Sequence, residues 1–94
     1  MFSAILWFDL ELTILLEEKR LDLGLVVKMA ILSLQIDGIP ETFFQTLEEK
    51  HHERWELSRY DFFILSKAAR EKEVDPNILL SYAFNEALLE ILRL

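Results

Sequence analysis

The segment DPNILLSYAFNEALLEILRL, residues 75–94, sets the terms on which the rest of this chain is read. Asp75 is a strong helix-capping type, and Pro76 suits a first helical position, where its missing N–H would be unpaired anyway. Eighteen residues free of glycine and proline then follow. The pattern predicts a helix from Pro76 to about Leu92. At about 100° per residue, Leu80, Ala83, Phe84, Ala87, Leu88 and Ile91 share one face. Ile78, Tyr82 and Leu89 form a second apolar stripe on roughly the opposite side. A helix with two apolar sides needs neighbours on both, and in so short a chain the second neighbour is expected to be another copy.

Working outward, residues 58–74 predict either a separate preceding helix or a continuation of the helix before it. Ser58 with Asp61 resembles a capping box, Tyr60, Ile64, Leu65, Ala68 and Ala69 give a packed side, and Ser66, Lys67, Arg70 and Glu73 a wet one. A helix is also expected over residues 40–57, started by Pro40 and Glu41. It would group Phe43, Phe44, Leu47, His51 and Trp55 against Glu41, Gln45, Glu48, Glu49, His52, Glu53 and Glu56. Asp22 would cap another helix to about Ile36, closed by Asp37, a left-handed Gly38 and then Pro40. Its Leu25, Met29, Leu32 and Ile36 line one side, and Val27, Ala30, Ile31 and Leu34 the other.

Residues 3–20 fit two templates. Phe8, Leu10, Leu12 and Ile14 alternate with Asp9, Glu11 and Thr13 as in a half-buried strand. Ile5, Phe8, Leu12, Leu15 and Leu16 follow a helix face, with Ser3 as cap, and the run ends in good helix formers. The helix is favoured; as a strand, residues 4–16 would need to pair with a second subunit.

These segments add up to an all-α fold, a single domain over residues 1–94 in which a compact bundle of four to five helices is completed by oligomerisation. Composition agrees. Ninety-four residues can bury roughly 60–65% of the unfolded surface, and the 52% apolar content slightly exceeds the usual share. Two glycines and two prolines suit long helices with short joints.

Charge and residue types restrict function. The net charge is −7 and no segment is basic, which argues against nucleic acid and anionic membranes. The chain has no cysteine, so thiolate chemistry, disulfides and thiolate metal sites are excluded. Its longest early apolar run, Ala4 to Phe8, is far below the roughly 18–20 residues of a membrane span. No basic start or cleavage pattern marks a signal peptide, so a soluble, cytoplasmic protein is expected. No Gly-rich phosphate loop or Gly-x-Ser-x-Gly elbow occurs, so neither an enzymatic activity nor a cofactor is expected.

Two motifs give alternatives. Glu48-x-x-His51 and Glu49-x-x-His52 have the spacing used by metal-binding helical bundles, with Glu48, His52 and Glu56 as successive neighbours on one helix face. The carboxylates fall on the side assigned to water, so no metal site is assigned; the alternative is a metal-binding helical oligomer using Glu48 and His52. Residues 69–80 have the apolar spacing of a helix-turn-helix, with Ala69, Val74 and Leu79 in place and Glu73 where glycine is usual. That alternative is a DNA-binding regulator, whose recognition helix would offer Asn77, Ser81 and Asn85, with Arg59, Lys67, Arg70 and Lys72 left to hold phosphates.

The favoured reading is a non-enzymatic, acidic protein–protein interaction or assembly module. It would self-associate as a homodimer or higher oligomer, or bind another protein. Trp7, Ile78, Tyr82 and Leu89 are the expected interface residues, with Phe2, Trp55 and Tyr60 as further aromatic candidates.

Overall fold

The computed structural model describes residues 2–93; Met1 and Leu94, the ends of the expected domain, lie outside them. In chain order the elements are β1 (Phe2–Phe8), α1 (Leu10–Glu18), α2 (Leu23–Ile31), α3 (Glu41–Gln45), a 3-10 turn (Leu47–Glu49), β2 (His51–Leu57), α4 (Arg59–Lys72) and α5 (Pro76–Arg93). The all-α expectation is therefore corrected: the fold mixes these helices with an antiparallel two-stranded sheet. Phe2 lies opposite Leu57 and Phe8 opposite His51.

The two long C-terminal helices form as their sequences dictate. Ser58 Oγ accepts the Asp61 N–H at 3.0 Å to start α4, and Asp75 Oδ1 accepts the Asn77 N–H at 2.7 Å to start α5. Leu80, Ala83, Phe84, Ala87 and Leu88 of α5 are all buried, as the helical period requires. Between the two helices Glu73 takes the left-handed conformation, φ 54° and ψ 45°, where the sequence would favour glycine.

The first expected helix divides in two. Residues 2–8 are extended, with Ala4, Leu6 and Phe8 buried on one face and Ser3, Ile5 and Trp7 half-buried on the other. The helix begins only at Leu10. The third expected helix is corrected too. Only Glu41–Gln45 is α-helical, and the chain is extended from His51 to Leu57 because its backbone pairs with β1 instead of with itself. The second stops at Ile31, short of Ile36. The freed Ile36 carbonyl accepts from Lys72 Nζ at 2.8 Å, and Gly38 is not left-handed.

One core draws on both strands and four of the helices. Leu6, Phe8, Leu16, Ile31, Leu65, Leu79, Leu80, Phe84 and Leu88 are its closed centre. The Phe8 and Phe84 rings meet at 5.8 Å between centroids, tying β1 to α5. No helix among the described residues is long and apolar enough to cross a membrane.

Candidate functional site

Edge strands carry unpaired backbone groups that a fold has to cover, pair or leave in water. Here the two edges of the sheet are treated differently. Along the outer edge of β1, α5 presents Asn77, Ser81 and Asn85 at four-residue intervals, a polar line along one side of the helix. Asn77 Oδ1 accepts the Ile5 N–H at 2.8 Å, and Ser81 Oγ accepts the Trp7 N–H at 2.9 Å. Asn85 Nδ2 donates to the Trp7 carbonyl at 2.8 Å and to the Ser81 carbonyl at 2.7 Å. These side chains stand in for the missing neighbouring strand. The Asn85 Oδ1 is buried without a partner among the described residues.

In an antiparallel ladder, backbone groups point alternately toward and away from the paired strand. Because Ile5 and Trp7 turn theirs to α5, their opposite numbers Arg54 and His52 turn theirs outward, as does Glu56. None of those three donates or accepts a further backbone hydrogen bond among the described residues. The β2 edge is open, with His51 to Arg54 and Glu56 exposed and Trp55 half-buried.

A second open surface lies where α2 crosses α4. The Asp61 carboxylate, almost buried, accepts from Lys28 Nζ at 2.8 and 3.0 Å and joins the two helices. Beyond this joint a cleft of about 470 Å³ is lined by Leu32, Tyr60, Phe63 and Ile64, with Lys67, Glu71 and Lys72 at its border. Leu32 is 74% exposed, Tyr60 70% and Phe63 65%, values that no packed core residue reaches. Met29 and Leu25, one and two turns earlier on α2, are exposed as well.

The four expected interface residues are only partly gathered. Tyr82 and Leu89 border one shallow depression with Asp9, Leu12 and Lys50. The Tyr82 ring meets Phe43 edge-on at 5.2 Å, and Leu89 is exposed. Trp7 and Ile78 do not line that depression. Trp7 is half-buried on the outer face of the sheet, its ring 6.4 Å from that of His52. Ile78 is half-buried on the first turns of α5. Tyr60, expected on the packed side of α4, is instead exposed, while Leu65 and Ala69 of the same expected face are buried.

The Glu-x-x-His motifs are not on a helix. Glu48 and Glu49 sit in the 3-10 turn, and His51 and His52 point to opposite faces of β2. His52 and Glu56 share a face but stand four strand residues apart, about 13 Å. No three His, Asp or Glu side chains among the described residues converge as a metal site would require. His51 is not packed among Phe44, Leu47 and Trp55. It is exposed, with Nε2 3.1 Å from Glu53 Oε1.

Sequence reading missed Leu32 and Phe63 as surface residues, since apolar side chains at helical spacing carry no mark of which stripe will find a neighbour. The polar line on α5 was visible as Asn77, Ser81 and Asn85, but its partner β1 was not. No protein-family model, no curated protein and no solved structure matches this chain.

Proposed function

We propose that the chain is a non-enzymatic protein-interaction module that acts as a self-associated unit. The observation that carries this reading is the open apolar cleft between α2 and α4. Single exposed apolar residues are ordinary, but Leu32, Tyr60 and Phe63 adjoin one another and leave large side chains in water, which is the mark of a contact surface. Aromatic residues at such a surface are the types that most often anchor protein contacts.

The geometry gives less support to the DNA-binding alternative. Asn77, Ser81 and Asn85, the side chains that would enter a groove, are hydrogen-bonded to β1. The metal-binding alternative loses the helix on which its spacing depended.

The experiment is light scattering with sedimentation equilibrium on the purified chain from micromolar to near-millimolar concentration. Association is expected as a mass above the 11.1 kDa of one chain that rises with concentration. A chain that stays at one copy throughout refutes the self-association reading.

A further inference from the structure

The sheet has one sealed edge and one open edge, and the open one presents the outward backbone groups of His52, Arg54 and Glu56. A row of this kind is a template for one more strand. We infer that the strand filling it is β2 of a second copy, running antiparallel about a two-fold axis at Trp55, so that two sheets join into one of four strands. This rests on the self-association reading above and adds a contact separate from the α2–α4 cleft.

The register follows from charge. A closed homodimer contact is self-complementary, and the outward-facing groups of one copy have to meet those of the other. Centring the pair on Glu53 sets two carboxylates against each other, and centring it on Arg54 sets two guanidinium groups together. Centring on Glu56 again opposes two carboxylates, and centring on His52 overlaps little of the strand. Centred on Trp55, Arg54 faces the partner's Glu56 and Glu56 faces the partner's Arg54, while the two Trp55 side chains meet across the axis. Opposed unlike charges and aromatic pairs are the favourable cross-strand combinations, and like charges directly opposite are unfavourable.

The groups required are free to do this. Arg54 and Glu56 are exposed, the hydrogen bond of Arg54 runs through Nε to Ser3 Oγ at 3.1 Å, and neither side chain is in an ion pair among the described residues. Charged residues on an edge commonly guard it against pairing. Guards of a single sign repel in every register. The run Glu53-Arg54-Trp55-Glu56 instead admits one register and penalises those on either side of it.

The chain's lack of cysteine makes the test direct. Trp55→Cys places one thiol on each copy. Across the axis the two Cα atoms would stand about 4.5 Å apart, as in any non-hydrogen-bonded antiparallel pair, within disulfide reach. Mild oxidation is expected to give a covalent dimer, while Glu53→Cys, separated from its counterpart by about 13 Å, should give none. Arg54→Glu and Glu56→Arg are each expected to weaken the dimer about tenfold or more. The double variant Arg54→Glu/Glu56→Arg, which restores opposed charges with the signs exchanged, should recover native association. Because both positions are exposed, the charge exchange decides the matter even if Trp55→Cys fails to fold. A native oligomer unaffected by either single reversal, with no cross-link at position 55, overturns this contact and leaves self-association standing. A chain that is monomeric at every concentration overturns both.

Discussion

Ser81→Ala tests whether α5 holds the sheet edge as described. Ser81 is fully buried, its Oγ accepting the Trp7 N–H at 2.9 Å and donating to the Asn77 carbonyl at 2.7 Å. The Asn77 carbonyl keeps its helical partner when the hydroxyl is removed, so that loss is small. The Trp7 N–H is left without an acceptor, and an orphaned buried donor costs about 1–3 kcal/mol. Alanine returns roughly 0.5 kcal/mol through its better helix propensity. The net expectation is a destabilisation of about 0.5–2.5 kcal/mol. A domain of this size shifts by roughly 4–8 °C in Tm per kcal/mol, so a fall of about 10 °C is the central expectation. Denaturant titration gives the free energy, and amide hydrogen exchange supplies the local signature: the Trp7 amide should lose more protection than the amides of α4. Equal or greater stability in Ser81→Ala, with Trp7 protection unchanged, would refute the idea that α5 side chains replace a neighbouring strand.

Three further outcomes can be checked. Lys28→Ala removes the partner of the nearly buried Asp61 carboxylate and should lower stability by about 1 kcal/mol. A double-mutant cycle with Asp61→Asn should show coupling that weakens in high salt. Glu73→Gly relieves a left-handed conformation that costs a side-chain-bearing residue roughly 1–2 kcal/mol. It should raise the denaturant midpoint by an amount corresponding to about 0.5–1 kcal/mol once the extra backbone entropy of glycine is allowed for. Burial, followed by the neighbouring Glu86 charge, pushes the Tyr82 hydroxyl pKa up. An acid group whose pKa is raised on folding contributes stability below its unfolded value near 10 and loses it as pH rises through the folded value. Alkaline destabilisation that is smaller in Tyr82→Phe is therefore expected in pH-dependent denaturation.

The sequence determined the two C-terminal helices, because everything that starts and sustains them is local. Ser58 and Asp75 supply the caps and Pro76 the first turn. The spacing from Leu80 to Leu88 names the buried face. It also fixed the scarcity of reactive side chains and the surplus of apolar ones. It could not fix the strands. In residues 2–8 the inner positions Ala4, Leu6 and Phe8 alternate with Ile5 and Trp7, which are apolar too, so the two-residue period is hidden. In residues 51–57 the glutamates favour a helix, and only Trp55 and Leu57 hint at an inner face.

The candidate contact surface divides in the same way. Trp55 and Tyr60 were legible as aromatic candidates. That Tyr60 faces water beside Phe63 and Leu32 depends on how α2 crosses α4. What only the tertiary structure decided is the pairing of Phe2–Phe8 with His51–Leu57 across more than forty intervening residues, and the sealing of one edge by Asn77, Ser81 and Asn85. The physical reason is that a helix closes its hydrogen bonds within four residues, so its evidence lies in the neighbouring letters. A strand borrows its partners from distant parts of the chain. Whether a segment becomes one is settled only when those parts arrive together in the fold.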